Sequence, residues 1–244
     1  MRPGETGLTG NVYCGLHECA EMAFVLHVVR PEDVFVDVGA NVGSYTVLAC
    51  AARGAKGYCF EPVPETYERL LDNLRLNGLA ARVSAFNIGI ADAEGELAFT
   101  SGEDTANHAV ADQEACAKAV RVRVRALDAV LEDERPFLMK VDVEGFETRV
   151  VEGARAVLSN PSVAAVIMEL NGSGSRYGFS EDAILDTMRN YGFSTYSYDP
   201  FSRTLASLPG KSPGSGNTLF IRDEEAVKER IAKAPRVTIG RVQL

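Results

Sequence analysis

The fold of this chain is decided by residues 34–43, which read VFVDVGANVG. The first half is an apolar run interrupted only by Asp37, and such a run predicts a strand buried on both faces of a parallel sheet. The glycines of the second half predict a turn into a helix over residues 44–53, with Ser44 as its N-cap. A strand, a glycine turn and a helix in this order predict the first unit of an open α/β sheet, which binds ligands at its strand ends.

The same alternation of strands and helices continues along the chain. We expect further strands of a parallel sheet at residues 57–61, 82–87, 137–143 and 163–170. Helical patterns accompany them at residues 62–77, 127–132, 147–158, 180–191 and 224–233, the last as a solvated surface helix. These elements predict an α/β fold built on a mostly parallel sheet.

Two departures from this alternation add antiparallel strands. Residues 95–100 and 120–125 predict an inserted β-hairpin that carries a polar, mobile loop at residues 101–118. Residues 193–198 and 218–222 predict a final antiparallel pair, because only a Gly/Pro/Ser-rich link and no helix separates them. We therefore expect the sheet to end in antiparallel pairing.

The composition is that of an ordinary globular chain and excludes several classes of function. Of the 244 residues 46% are hydrophobic, and 25 basic against 34 acidic side chains give a net charge of −9. This negative field repels phosphate backbones and anionic membrane surfaces, so we expect no nucleic-acid or membrane partner. The sequence contains no long apolar run, and its five cysteines form no C-x-x-C pair. We expect a cytoplasmic protein with free thiols.

The turn after the first predicted strand lacks the features of a dinucleotide-binding loop. Asn41 and Ser44 stand where that fingerprint needs glycines, because a pyrophosphate must approach the backbone closely there. A nucleoside ligand without a pyrophosphate is therefore favoured over a nicotinamide cofactor. Asp37 at the strand end suits an ammonium or a sulfonium, and Glu61 at the next strand end can accept both hydroxyls of a ribose. The alternative is that the two carboxylates contact only nearby backbone and that the glycines merely shape a tight turn.

Four motifs together resemble those of the FkbM-type methyltransferases, a branch of the S-adenosylmethionine-dependent class I enzymes. They are DVGANVG at residues 37–43, FEP at residues 60–62, NIGIAD at residues 87–92 and KVDVEGFE at residues 140–147. The resemblance covers residues 34–170 well and the terminal strand pair loosely. It implies a Rossmann-like class I fold with a mostly parallel seven-stranded sheet whose last strand is antiparallel.

The resemblance also implies where S-adenosylmethionine binds and what is methylated. The cofactor would lie across the ends of the first strands, and the methyl acceptor would be a hydroxyl, often of a sugar or a polyketide-like product. Glu61 would bind the ribose, Asn87 and Ile88 would border the adenine, and Asp142 would face the sulfonium. The methionine part would be surrounded by Asp37, Gly39 and Asn41, and Gly43 of the same turn would also belong to the cofactor-binding residues.

Methyl transfer to a hydroxyl needs a group that removes the proton of the acceptor. Asp142, Glu144 and Glu169 are the candidates, because neighbouring parallel strands end on one rim of the sheet. If the strand continues to residue 144, Asp142 and Glu144 share a face, and crowding raises the pKa of one of them. The alternative is that Lys140 forms a structural ion pair with one carboxylate while Glu144 begins the next helix.

Other residues are candidates for supporting roles. Asp142, Glu169 and Asn171 could supply oxygens to magnesium, which prefers such hard ligands. His108 in the polar loop could act as a base, although a lone loop histidine is also typical of plain surface. His17 could cover the cavity.

An aromatic group near the C-terminal strands is a candidate acceptor site. Tyr177, Tyr196, Tyr198 and Phe201 could form a wall that stacks on a sugar ring, with the loop at residues 172–178 beside it. Tyr196 and Tyr198 are equally well explained as one packed face of a strand.

We interpret the chain as an S-adenosylmethionine-dependent O-methyltransferase acting on a hydroxyl of a small molecule or saccharide. We expect one domain over residues 1–244, with a helical cover segment at residues 1–30, a catalytic core at residues 31–222 and a tail at residues 223–244. Two alternatives stay open. One is a non-catalytic module that binds an adenosyl ligand, and the other is an NAD-dependent oxidoreductase, which Asn41 opposes. The sequence leaves the oligomeric state open.

Overall fold

The centre of the computed structural model is an eight-stranded mixed sheet. The structure describes residues 15–101, 107–111, 118–214, 216–240 and 242–244. The strands are β1 Val34–Val38, β2 Lys56–Phe60, β3 Val83–Phe86, β4 Gly89–Ile90, β5 Gly95–Thr100, β6 Ala119–Arg125, β7 Pro136–Val141, β8 Ala165–Glu169, β9 Ser194–Asp199, β10 Thr204–Ser207, β11 Asn217–Ile221, β12 Thr238–Ile239 and β13 Val242–Gln243. The helices are α1 Cys19–Val28, α2 Ser44–Val47, α3 Pro64–Leu76, α4 Leu127–Leu131, α5 Glu147–Glu152, α6 Arg155–Ser159, α7 Glu181–Asn190 and α8 Glu224–Ala232.

The order of the strands confirms the predicted fold. The sheet runs β10-β9-β11-β8-β7-β1-β2-β3. All neighbours from β8 to β3 are parallel, whereas β11 is antiparallel to both β8 and β9. A parallel core with an inserted antiparallel last strand is the arrangement that the motifs implied. The carboxyl ends of β1, β2, β7 and β8 therefore lie together on one edge of the sheet.

The sheet has one strand more than the seven predicted. The link after residue 199 was expected to be irregular throughout, but β10 pairs antiparallel with β9 at the edge of the sheet. The reason is that the glycines and prolines of the link are concentrated after Ser207, which leaves the preceding residues free to form a strand.

The predicted inserted hairpin is confirmed. β5 and β6 pair antiparallel, and β4 joins β6 to form a separate three-stranded sheet. Part of the polar loop is also ordered against the hairpin, because Ala109 pairs with Phe99 in an isolated bridge. The rest of the loop, at residues 102–106 and 112–117, lies outside the described residues. The expectation that the loop is mobile therefore stays a prediction.

Helix α1 covers one face of the sheet and is buried on almost all sides. Phe24 and Val28 are 0% exposed, and His27 bonds the hydroxyl of Tyr198 through Nδ1 at 2.6 Å. The expected solvated tail helix α8 also packs here, because Val227 and Ile231 are buried in the same core cluster. Within the described residues, no helix combines the length and apolarity needed to cross a membrane.

The predicted helix at residues 147–158 is interrupted. It forms two short helices, α5 and α6, that meet at Gly153 and Ala154. A Cβ atom at Gly153 would overlap the carbonyl oxygen of Ala91, so the backbones approach more closely than any side chain allows. The break thus accommodates the segment that leads into the inserted hairpin.

Two further local differences concern the first helix after the glycine turn. Its N-cap is Gly43, in a left-handed conformation, and the predicted cap Ser44 is the first helical residue. After Val47 the helix continues as a π-helical turn, Leu48–Ala52. Cys50 in this turn and Cys59 in β2 are buried free thiols, as the sequence predicts.

Candidate active site

A cavity of about 370 Å³ opens at the carboxyl edge of the sheet. Its wall is formed by the glycine turn after β1, by the residue after β2, by the ends of β7 and β8, and by the segment before α1. Seven of the sequence-predicted site residues lie in this wall: Asp37, Gly39, Asn41, Glu61, Asp142, Glu144 and Glu169. The position agrees with the general rule for ligand sites of open α/β sheets.

The glycine turn packs directly against the end of β7. Gly39 has φ +80°, and a Cβ atom there would overlap the carbonyl oxygen of Asp142. Gly43 has φ +90°, and Asn41 between them is also left-handed at φ 50°. The Asn41 side chain folds back, so that its Oδ1 accepts the backbone N–H of Val42 at 2.7 Å. Only this glycine pattern lets the turn and the β7 end share one wall.

Asp37 is fixed at the floor of the cavity. The residue is 2% exposed, and its Oδ2 accepts the hydroxyl of Thr46 at 2.6 Å. Burial raises the pKa of Asp37 to about 6, although the Thr46 hydrogen bond opposes this. Because ionisation of Asp37 is unfavourable in this buried position, a cation beside the carboxylate would stabilise its charged form.

Glu61 lies at the β2 end and both organises the backbone and borders the cavity. Its Oε2 accepts the N–H of Asn41 at 3.0 Å and its Oε1 accepts the N–H of Val63 at 2.9 Å. Each carboxylate oxygen keeps a second acceptor site, so backbone contact and ligand contact are compatible. Burial raises the pKa of Glu61 to about 7 against the effect of the two hydrogen bonds.

Asn87 and Ile88 lie behind the cavity wall. The Asn87 amide donates to the carbonyls of Glu61 and Pro62 at 2.8 and 2.9 Å, and Ile88 packs against the core under the sheet. Asn87 thus holds the loop that carries Glu61. Contact of these two residues with adenine stays a prediction.

Three carboxylates lie close together at the β7 and β8 ends, as the sequence predicts. The backbone conformation that brings them together differs from the predicted one. Oxygens of Asp142, Glu144 and Glu169 lie within 4.8 Å of one another. β7 ends at Val141, so strand alternation does not align the first two. Instead Glu144 is left-handed at φ 53°, and Gly145 follows at φ 102°, where any side chain would meet the backbone of the loop after β8.

Lys140 supplies the positive charge at this cluster. It is 1% exposed, and its Nζ donates to Asp142 Oδ2 at 2.8 Å and to Asn217 Oδ1 at 3.0 Å. The ammonium also lies 5.2 Å from the ring centroid of Tyr45. Burial lowers the pKa of Lys140, but the surrounding carboxylates outweigh it and keep the ammonium charged. The ion pair considered from the sequence is therefore present.

The Lys140 ammonium lowers the pKa of one carboxyl of the cluster, whereas the pKa values of the other two are raised. Burial opposes ionisation of Asp142, yet Lys140 outweighs it and holds the pKa of Asp142 below its ordinary value. Burial and then the Asp142 charge raise the pKa of Glu144 and, more strongly, that of Glu169. Glu169 Oε2 is buried with no hydrogen-bond partner. The surroundings therefore favour the ionised form of Asp142 and the protonated form of Glu169.

Three residues of the site, Glu18, Tyr45 and Asn217, were not predicted from the sequence. Glu18 accepts the Asn217 amide through Oε1 at 2.8 Å and the Tyr45 hydroxyl through Oε2 at 2.5 Å. Asn217 connects this carboxylate to Lys140. Glu18 and Asn217 are 199 positions apart, so no local pattern announces their contact.

One of the two candidate histidines lies where it was expected, because His17 borders the cavity. His108 does not lie on a free loop, because its backbone N–H donates to Thr100 Oγ1 at 3.0 Å and its side chain is mostly covered. Its neighbour Asn107, together with Phe99 of β5, reaches the cavity wall.

The expected oxygen set for magnesium is not assembled. Asn171 is exposed, and its Oδ1 accepts the N–H of Ser173 at 2.9 Å, which closes its own loop. Its side chain is used locally because the loop turns immediately after β8. The structure brings Glu144 to Asp142 and Glu169 instead.

The expected aromatic wall does not form. Tyr177 packs against Phe146 and Phe179, with ring centroids 5.3 and 5.7 Å away. Tyr196 and Tyr198 lie in the core cluster beneath α1, which is the packed-face alternative. A fourth ring, Phe201, is 66% exposed and lies apart from both groups. The four residues lie on different elements whose packing the sequence does not specify.

The raised pKa of Glu61 predicts a pH dependence of stability in the ligand-free protein. The folded state keeps this proton up to about pH 7, whereas a free glutamate loses it near 4.5. Between these values the folded state binds more protons, so the free energy of unfolding falls as the pH rises. Chemical denaturation from about pH 5 to pH 7 should show a shallower fall for Glu61→Gln than for the wild type.

The matched control is Glu65→Gln, which changes an exposed carboxylate on α3. It should keep the wild-type slope. Parallel curves for the wild type and Glu61→Gln would contradict the assignment of this titration to Glu61.

The sequence matches known proteins over the part of the chain that builds the cavity. A family model described as Methyltransferase FkbM domain matches residues 37–195. The hexuronic acid methyltransferase AglP of Haloferax volcanii is 29% identical over 152 residues, which are 60% of this chain and 59% of AglP. The methyltransferase sdnD of Sordaria araneosa is 29% identical over 156 residues, which are 48% of this chain and 59% of sdnD. This chain thus spans somewhat more than half the length of these relatives.

Two further proteins are similar to this chain. The AMB antimetabolite synthetase AmbE of Pseudomonas aeruginosa is 30% identical over 211 residues, covering 68% of this chain and 10% of AmbE. Among solved structures, an rRNA methylase from Streptococcus thermophilus covers 82% of this chain and 91% of its own at 14% identity and a TM-score of 0.48. The family match spans the glycine turn, the Glu61 loop and the carboxylate cluster together. The chain therefore belongs to the FkbM family of S-adenosylmethionine-dependent methyltransferases.

Proposed function

We propose that this protein transfers the methyl group of S-adenosylmethionine to a hydroxyl oxygen of a small molecule or saccharide. The observation that carries the proposal is the carboxylate cluster of Asp142, Glu144 and Glu169, which borders the same cavity as the glycine turn. One wall of the cavity thus suits a nucleoside, and the other suits proton transfer.

The residues of the cavity fit this cofactor. S-adenosylmethionine supplies a methyl group on a positively charged sulfur. Asp37 and Glu61 are buried acids whose ionisation becomes cheaper beside a cation. Glu61 retains acceptor sites for two ribose hydroxyls, and Gly39 lets the glycine turn lie directly against the backbone of Asp142. The volume of about 370 Å³ lies within the usual range of small-molecule sites.

Asp142 and Glu144 divide the chemistry between them. The ionised Asp142 faces the positive end of the cofactor, where its charge is held in place by Lys140. Glu144 has no lysine partner among its described contacts, and its pKa is raised by burial and by Asp142. A carboxylate with a raised pKa is the better base, so Glu144 accepts the proton of the acceptor hydroxyl. Protonated Glu169 donates a hydrogen bond to the acceptor.

The name of one relative supports a saccharide as the acceptor. AglP is a hexuronic acid methyltransferase, and it shares 29% identity with this chain. A sugar hydroxyl also matches a cluster that can both accept and donate a proton. We therefore place saccharides first in the search for the acceptor.

Titration calorimetry tests the cofactor assignment. The protein should bind S-adenosylhomocysteine and not NAD, because Asn41 stands where a pyrophosphate needs glycine. Glu61→Ala should weaken S-adenosylhomocysteine binding by about 10–100-fold, the effect of losing charge-assisted hydrogen bonds. The control Glu65→Ala should bind like the wild type. Binding of NAD alone would make the protein an oxidoreductase instead.

Methyl transfer to a panel of saccharides from labelled S-adenosylmethionine tests the chemistry. Glu144→Gln should bind S-adenosylhomocysteine within about threefold of the wild type but transfer methyl groups about 100–10,000-fold more slowly. Asp182→Asn, at an exposed acid of α7, serves as the control and should remain active. Full activity of Glu144→Gln would move the base to another carboxylate. Cofactor binding without transfer to any acceptor would favour the non-catalytic module.

A further inference from the structure

We infer that Glu18, in the segment before α1, is a further cofactor-binding residue that recognises the α-ammonium group of the methionine part. The inference rests on the proposed function, because it assumes that S-adenosylmethionine occupies the cavity. No motif of the sequence includes Glu18, and the matched family segment begins at residue 37.

The contacts of Glu18 hold its carboxylate at the cavity wall. Both of its oxygens are bonded, one to the Tyr45 hydroxyl at 2.5 Å and the other to the Asn217 amide at 2.8 Å. Tyr45 is buried in α2 and Asn217 is 2% exposed at the start of β11. The carboxylate itself is 24% exposed, so it is held by buried partners and still faces the cavity.

Each oxygen of Glu18 can accept one hydrogen bond more than it now receives. A carboxylate has about four acceptor sites, and its two bonded partners here are neutral donors. Lys140 directs its hydrogen bonds to Asp142 and Asn217 rather than to Glu18. Two ionisable groups lie near Glu18: the His17 imidazole, with Nε2 3.9 Å from Glu18 Oε2, and the Lys140 ammonium, which interacts with Glu18 electrostatically without a hydrogen bond. An ammonium group of a ligand therefore finds a charged acceptor with fixed geometry.

The order of the strands places Glu18 at the correct end of the cavity. Glu61 follows β2, whereas Asn217 begins β11 on the other side of β1, β7 and β8. If the ribose meets Glu61, the rest of the cofactor extends across β1 and β7, toward Lys140 and Asn217. Tyr45 lies in the helix that starts directly after the glycine turn, so Glu18 meets the amino-acid part of the cofactor there.

The test compares S-adenosylhomocysteine with its deaminated analogue, in which hydrogen replaces the α-amino group. Titration calorimetry, or displacement where the analogue binds weakly, gives both affinities for the wild type and for Glu18→Gln. The wild type should prefer S-adenosylhomocysteine by about 10-fold or more, the range for a charge-assisted hydrogen bond. In Glu18→Gln this preference should shrink by about the same factor, while binding of the analogue changes little.

Glu21→Gln is the matched control. Glu21 lies in α1, three residues beyond Glu18 and outside the wall of this cavity, so its neutralisation removes a nearby negative charge but should keep the preference. Thermal unfolding of both variants checks that they fold. Equal weakening of both ligands in Glu18→Gln, or an unchanged preference, would overturn the inference. If the wild type binds neither ligand, the proposed function fails instead.

Discussion

The buried ammonium of Lys140 is the interaction on which the rest of the site depends. Three carboxylates within 4.8 Å of one another would repel in this half-buried site. Lys140 compensates Asp142 directly, and the raised pKa of Glu169 favours its neutral form. Burying a lysine is costly unless its partners are fixed, and both Asp142 and Asn217 are within hydrogen-bond distance. The lysine therefore decides where the remaining negative charge of the cavity lies.

The glycine turn complements this charge arrangement by fixing the backbone beside it. The N–H of Asp142 donates to the carbonyl of Val38 at 2.9 Å, and its own carbonyl lies against Gly39. The side chain of Asp142 is held by Lys140 from the other side. Both the main chain and the carboxylate are thus immobilised where the proposed cofactor and acceptor meet. Such preorganisation is the contribution by which enzymes align an in-line displacement.

The sequence predicts most of the fold because the fold depends on local patterns. The apolar run of β1 and the alternation of Val with Arg in β6 each indicate burial directly, and the predicted bounds of both strands agree with the structure to within a residue. The break at Gly153 was not predictable, because it depends on contact with Ala91, which is distant in sequence. Strand β10 was not predictable either, because it forms only through its pairing with β9 at the edge of the sheet.

The site is predictable to the extent that its residues follow strand ends. Asp37, Glu61 and Asp142 were found in this way, and all three border the cavity. Asn171 also follows a strand end, but its side chain bonds its own loop, a choice that only the conformation of the loop determines. Glu18 was missed for the opposite reason, since it reaches the site from a segment that carries no motif.

We propose that the acid-lined cavity holds the cofactor between Glu61 and the β7 end. A crystal structure of the protein with S-adenosylhomocysteine is the decisive measurement. We expect both ribose hydroxyls on the carboxylate of Glu61 and the sulfur beside Asp142. A ligand bound outside the cavity, or a ribose that does not contact Glu61, would contradict this placement of the cofactor.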